Sequence, residues 1–122
     1  MTEPVTIGNL VKYVVGSGDK VINLVIPMAS GWTSFHDQST DTDYQVPVGR
    51  KLIILQVDNQ HNFQPKQHSS SDINGGTYLG MWNGDSSTGN SHNTHAIVNA
   101  GNFVNAYTNN YYFNIVGLET DV

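Results

Sequence analysis

The chain has 122 residues, which is enough for one domain with a single hydrophobic core. Hydrophobic residues make up 38% of the sequence, which argues against a disordered chain. Charged residues make up 12%, about half of the usual share, so neutral polar residues must provide solubility. Asparagine, serine and glycine are abundant and favour turns and loops. We therefore expect one all-β domain over residues 1–122, with elaborate polar loops.

The same numbers argue against several partners and sites. The formal net charge is −5 and no basic cluster is present, so we expect no nucleic-acid binding. Apolar runs have strand length, far below the roughly 18 residues of a spanning helix, so we expect no membrane insertion. The absence of cysteine excludes disulfides and thiolate metal sites. The first residues lack a basic region followed by an apolar core, so we expect no signal peptide and folding in a reducing cytoplasm.

The segment 4–15 allows two interpretations. Its apolar residues fit one helical face, with Pro4 near the start and Gly16 as a stop. They also fit two short strands, 5–7 and 11–15. The density of valine favours strands, and the second of these would form a hairpin with the strand predicted next along the chain.

The strongest strand signal lies in residues 46–59. Pro47 and Gly49 mark a tight turn, and residues 52–57 form a dense apolar run that is typical of a strand. Four successive residues of this run are apolar, so both faces of the strand need cover.

Alternation along this strand divides its side chains between two faces. Ile53, Leu55 and Val57 are assigned to the interior of the domain. Leu52 and Ile54 then require cover from elsewhere, and we expect a neighbouring subunit to provide it. The protein is therefore predicted to be a homo-oligomer.

The remaining elements are short strands separated by polar loops. Further strands are predicted at residues 21–26, 32–36, 77–82, 96–98, 103–104 and 111–118. Residues 60–76 and 86–94 are predicted as long loops, and loops of such length are usually functional. About eight short strands predict a two-sheet antiparallel β-sandwich. Long loops without a disulfide favour a jelly roll over an immunoglobulin-like fold.

One oxygen-rich cluster suggests a metal site. Asp37, Asp41 and Asp43 lie in one loop, and calcium binds several carboxylate and carbonyl oxygens of a loop. The spacing differs from that of the helix–loop–helix calcium site, and a solvated loop is the favoured alternative. The histidines, including His92 and His95, are interpreted as solvated loop residues, because no His-x-His pair with a following glutamate is present. We expect no cofactor, and calcium at the three aspartates if the protein binds a metal.

The sequence shows no catalytic constellation. No serine lies in a Gly-x-Ser-x-Gly elbow, no pair of carboxylates is marked out for glycoside hydrolysis, and no phosphate-binding glycine motif is present. The chain is predicted not to be an enzyme.

A second candidate site combines aromatic and polar residues. Tyr78, Trp82, Asn83 and Asp85 could stack on a sugar ring and hydrogen-bond its hydroxyls. The favoured alternative is structural: Tyr78, Gly80 and Trp82 alternate along one strand and could form a buried face.

Two motifs resemble those of a known family. The turn Val46-Pro47-Val48-Gly49-Arg50 leads into an apolar strand, and a closing aromatic strand ends in Gly117-Leu118-Glu119. With Tyr78-Leu79-Gly80 between them, these motifs resemble small jelly-roll proteins of tailed-phage virions, of the capsid-decoration and fibre-tip type.

The resemblance implies a non-enzymatic virion protein, often trimeric, that binds a capsid or a host surface. Leu52 and Ile54 would contact another copy or the major capsid protein. A fibre tip would be fused to a shaft, and nothing before Val5 could form one, so a decoration subunit is favoured. We expect it in the virion after folding in the host cytoplasm. The alternative is a carbohydrate- or receptor-binding module with a host glycan as its partner.

Overall fold

The computed structural model describes residues 18–27, 29–59, 62–70, 76–80, 82, 90–93 and 96–122. Within these ranges the backbone forms strands, turns and bends, and no helix. The segment 4–15, with its two alternative interpretations and its predicted hairpin, lies outside the described residues.

The described ranges contain eleven strands in two sheets. The strands are β1 (Lys20–Val25), β2 (Ser30–Ser34), β3 (His36–Asp37), β4 (Thr42–Asp43), β5 (Arg50–Asn59), β6 (Lys66–His68), β7 (Thr77–Tyr78), β8 (Asn90–Asn93), β9 (Ile97–Val98), β10 (Phe103–Asn109) and β11 (Phe113–Asp121). The larger sheet has seven strands in the order β4-β3-β1-β11-β5-β8, with β9 also paired to β5. The smaller sheet has four, in the order β2-β10-β6-β7. All the pairings are antiparallel, which confirms the predicted all-β sandwich of two antiparallel sheets.

The core lies between the inner faces of the two sheets, and aromatic rings occupy its centre. Phe63 stacks on Phe113 with ring centroids 4.5 Å apart and meets Phe35 edge-on at 5.7 Å. Each such pair contributes about 0.5–1.5 kcal/mol beyond the burial of apolar area. Fully buried aliphatic residues of both sheets surround the rings: Leu24, Leu52, Ile54, Val57, Val98, Val104 and Ile115.

A β-bulge in β5 decides which of its side chains reach this core. Opposite β11, Gln56 pairs with Val116 while Ile54 pairs with Gly117, so Leu55 is an extra residue on β5. A bulge of this kind shifts the alternation of side chains by one position beyond it.

The prediction that Leu52 and Ile54 contact a neighbouring subunit or a capsid is wrong. Both side chains are 0% exposed within the single chain. Strict alternation would place Val57 on the opposite face, but the bulge brings it to the core together with Leu52 and Ile54. Ile53 and Leu55, which were assigned to the interior, are half-buried on the outer side of the sheet.

The glycine at the bulge allows the two longest strands to pack closely. A Cβ atom on Gly117 would lie 2.6 Å from Cδ1 of Leu52 and 3.2 Å from the carbonyl oxygen of Ile53. A side chain at this position would therefore displace Leu52 within the core, and overpacking of this kind costs about 1–3 kcal/mol.

Most predicted strands are confirmed, but both long loops contain strands that were not predicted. β6 lies within the predicted loop 60–76, and β8 lies within the predicted loop 86–94. Neither sequence is apolar, and both strands form through pairing: β6 with β10 and β7, and β8 with β5. The predicted strand 77–82 is shorter than expected, because β7 ends at Tyr78 and Trp82 forms only an isolated bridge with Phe63.

A buried glutamine ties the smaller sheet to the larger one. Nε2 of Gln67 on β6 donates to the carbonyl oxygen of Ile97 at 3.2 Å. Its Oε1 accepts from the backbone N–H of Asn99 and from Nδ2 of Asn102, both at 2.9 Å. The side chain of Gln67 thus connects β6 of the smaller sheet to β9 of the larger sheet and to the turn after β9.

A second buried polar group, the carboxylate of Glu119, joins β11 to the start of β5. The hydroxyl of Tyr44 donates to Oε1 at 2.8 Å, and Nε of Arg50 donates to Oε2 at 3.3 Å. Arg50 also donates from Nη1 to Asp121 at 2.7 Å. Burial and the hydrogen bond to Glu119 raise the pKa of Tyr44 well above its ordinary value.

We predict that stability at alkaline pH depends on Tyr44. The unfolded chain releases the Tyr44 proton near pH 10, whereas the folded chain retains it, so the free energy of unfolding falls as the pH rises above about 10. Tyr44→Phe should lower the free energy of unfolding at neutral pH by about 1–2 kcal/mol, because Glu119 loses a buried donor. The same substitution should also reduce the fall in the free energy of unfolding above pH 10. Urea denaturation over this pH range measures both effects.

The exposed Tyr107 provides the matched control. Tyr107→Phe should leave the free energy of unfolding at neutral pH unchanged, because it removes a hydroxyl from an exposed side chain. An equally steep alkaline decline in wild type and Tyr44→Phe would contradict the assignment.

Candidate ligand-binding face

An aromatic surface covers the outer face of the smaller sheet. Trp32 on β2 and Tyr107 on β10 lie directly opposite each other, and their rings meet edge-on with centroids 5.9 Å apart. Nζ of Lys66 on β6 lies 4.7 Å from the ring centre of Trp32 and 4.5 Å from that of Tyr78 on β7. These four side chains link all four strands of the sheet, and we call them the aromatic face.

Strand register brings these residues together. Lys66 pairs with Asn105 of β10 on one side and with Tyr78 on the other. Tyr107 lies two residues beyond Asn105 and therefore shares its face of the sheet. The intervening Ala106 is buried in the core, which confirms that the aromatic face points away from it.

The aromatic face combines accessible rings with a fixed cation. Tyr78 is 62% exposed and Tyr107 is 56% exposed, whereas Lys66 is only 8% exposed. Each cation–π contact is worth about 0.5–2 kcal/mol, depending on its desolvation, so Lys66 holds the rings of Trp32 and Tyr78 in place. Rings fixed before binding lose little conformational entropy when a ligand stacks on them. A tyrosine ring with its hydroxyl suits a ligand that is apolar on one face and polar at its edges.

The predicted ligand-binding residues are not brought together on this face. Tyr78 belongs to it, but the ring of Trp82 lies 5.7 Å from that of Phe63 and packs against the core. β7 ends at Tyr78, and Gly80 has a φ of +142°, so alternation along one strand does not extend from Tyr78 to Trp82. Asn83 and Asp85 lie outside the described residues.

Three residues of the aromatic face were not predicted as site residues. Trp32 lies in a predicted strand, but nothing in the sequence indicates its partners. Tyr107 follows Val104 and Ala106, which alternate with the polar Asn105, and this alternation was the signal that could have extended the predicted strand to it. Lys66 lies within the predicted loop 60–76, where no apolar alternation marks a strand.

The three aspartates of the predicted calcium loop contact Ser39 and His36. Asp37 accepts from the backbone N–H and the hydroxyl of Ser39, at 2.8 and 2.7 Å. Asp41 and Asp43 contact opposite nitrogens of His36, at 3.4 and 2.9 Å. In the part of the chain that is described, no three His, Cys, Asp or Glu residues are arranged to hold a metal ion. The predicted calcium site therefore gains no support.

The chain matches no protein-family model, no curated protein and no solved structure. Among the described residues, no helix is long and apolar enough to cross a membrane. The chemistry of the described surface is therefore the basis on which function is inferred.

We predict that the Lys66 ammonium stabilises the smaller sheet through its two rings. Lys66→Met keeps a long apolar stem but removes the charge, and we expect it to lower the free energy of unfolding by about 1 kcal/mol. Chemical denaturation measures this change, and Lys20→Met, at an exposed lysine of β1, is the control for the loss of one charge. Equal effects of the two substitutions would contradict a specific role for the ring contacts.

Proposed function

We propose that the chain is a non-enzymatic binding module that holds a carbohydrate on the aromatic face. The observation that carries this proposal is the chain of ring and cation contacts joining Trp32, Tyr107, Lys66 and Tyr78. Two of the rings are more than half exposed, so a ligand reaches them without any opening of the core. A sugar ring matches these side chains, because it has an apolar C–H face that stacks on an aromatic ring and hydroxyl groups around its edge.

The shape of the site favours an extended ligand. Small-molecule sites are concave and enclose their ligand. The aromatic face instead crosses four strands, and three strand spacings amount to about 14 Å, which suits an oligosaccharide better than a single sugar. Beside the paired Trp32 and Tyr107 lie Ser30 and Asn109, which pair with each other and are both exposed. They provide a hydroxyl and an amide at the edge of the aromatic face.

Glycan-array screening followed by calorimetry of the best oligosaccharide tests this proposal. Tyr78→Ala and Tyr107→Ala should each weaken oligosaccharide binding about tenfold or more, because each removes an exposed ring from the aromatic face. Tyr112→Ala is the matched control: Tyr112 is 51% exposed, but it lies in the turn after β10, outside the aromatic face. The absence of binding to any glycan, or an equal loss in the control variant, would contradict the proposal.

A second candidate function is that of an oligomeric structural subunit of a tailed-phage virion, in the first place a capsid-decoration protein bound to the major capsid protein. The specific observation in its favour concerns the two motifs on which the resemblance rests. Arg50, at the end of the turn from Val46, donates to Glu119, two residues before the end of β11. This contact gives a physical reason for the two motifs to occur together in one fold.

The strand order supports the jelly-roll part of this second proposal. A jelly roll packs eight strands in two sheets, with chain connections that cross between the sheets. Here β1-β11-β5-β8 faces β2-β10-β6-β7, so the first described strand lies beside the last. Successive strands β1 and β2, like β10 and β11, belong to different sheets.

Sequencing the DNA on both sides of the gene tests the virion candidate. We expect genes for a major capsid protein and other virion components beside it, and the chain itself in purified particles by mass spectrometry. Flanking genes of unrelated function, together with its absence from particles, would contradict this candidate and leave the glycan proposal to its own test.

A further inference from the structure

The outer face of the larger sheet carries an apolar row that crosses four strands. Val21 on β1 lies opposite Leu118 on β11, Leu118 opposite Ile53 on β5, and Ile53 opposite Ile97 on β9. Directly opposite side chains share one face of a sheet. Ile97 is 45% exposed, and the other three are half-buried. The row is therefore an outward-facing apolar strip, about 14 Å long from three strand spacings.

Opposite charges stand at the two ends of this face along β5. Lys51 lies two residues before Ile53, beside Thr120 of β11. Asp58 lies at the other end, beside Asn114 of β11, and its Oδ1 accepts from Nε2 of Gln56 at 3.3 Å. Both charged residues are on the outer face, with Ile53, Leu55 and Gln56 between them.

We propose that this face is an isologous interface with a second copy of the chain, in which Lys51 of each subunit pairs with Asp58 of the partner subunit. A two-fold axis parallel to the sheet, crossing β5 between Ile53 and Gln56, reverses the direction of the strand. The cation of each copy then lies over the anion of the other, and Ile53 lies opposite Gln56 of the partner subunit, next to Leu55 of the partner subunit. In an isologous interface the same patch must complement itself.

Charge complementarity is the reason that a second copy, rather than an unrelated partner, is the occupant. A strand face with a cation at one end, an anion at the other and Ile53, Leu55 and Gln56 between them matches its own reversed copy. Two sheets packed face to face lie about 10 Å apart, which leaves room for one layer of interdigitated side chains. The interface requires neither proposed function, because it uses the opposite side of the sandwich from the aromatic face.

Charge reversal in the full chain, followed by sedimentation velocity over a range of concentrations, tests the interface. We expect the wild type to dimerise at micromolar concentrations. Lys51→Asp and Asp58→Lys should each weaken the dimer about tenfold or more, because each places like charges opposite one another. The double variant should dimerise like the wild type, and an equimolar mixture of the two single variants should form a heterodimer.

Two further variants distinguish a loss of the dimer interface from a loss of folding and from an effect of the aromatic face. Ile97→Asp should abolish the dimer, since Ile97 is exposed and its replacement leaves the core intact. Tyr107→Ser on the smaller sheet should leave the dimer unchanged. A wild-type monomer at all concentrations, single charge variants that dimerise like the wild type, or loss of the dimer in Tyr107→Ser alone would overturn the proposal. Glycan affinity measured on the charge variants distinguishes failure of the dimer from failure of the carbohydrate proposal.

Discussion

The pairing of β5 with β11, with its single bulge, is the constraint on which the rest of the sandwich depends. These are the two longest strands described, and they lie side by side near the middle of the larger sheet. The extra residue at Leu55 lets both halves of β5 direct apolar side chains into the same core. Gly117 makes the close approach of Leu52 possible, and Glu119 binds Arg50 at the strand's far end.

The unbroken apolar run of β5 makes the larger sheet apolar on both sides. With Leu52, Ile54 and Val57 directed inwards, Ile53 and Leu55 are left on the outer face, where Ile53 lies opposite Leu118 and Ile97. The smaller sheet differs, since its outer face carries rings and a cation in place of aliphatic side chains. One sandwich thus presents two chemically distinct surfaces, an aliphatic one on the larger sheet and an aromatic one on the smaller sheet.

The two-sheet sandwich could be predicted from the sequence, but the aromatic face could not. Strands with apolar residues, such as β1, β5 and β11, were predictable because burial leaves a pattern in the sequence. The need to cover both faces of β5 was also predictable, but the assignment of Leu52 and Ile54 failed because a bulge has no composition signal. Lys66 could not be predicted as a site residue, because β6 forms through pairing with the neighbouring strands β10 and β7 and has no apolar pattern of its own.

Amide chemical shifts in the ¹⁵N-labelled protein test whether the two outer faces act separately. On dilution, we expect shift changes in β1, β5, β9 and β11. On addition of a bound oligosaccharide at constant protein concentration, we expect changes in β2, β6, β7 and β10. Perturbation of the same strands in both titrations, or changes confined to the connecting loops, would contradict separate roles for the two faces.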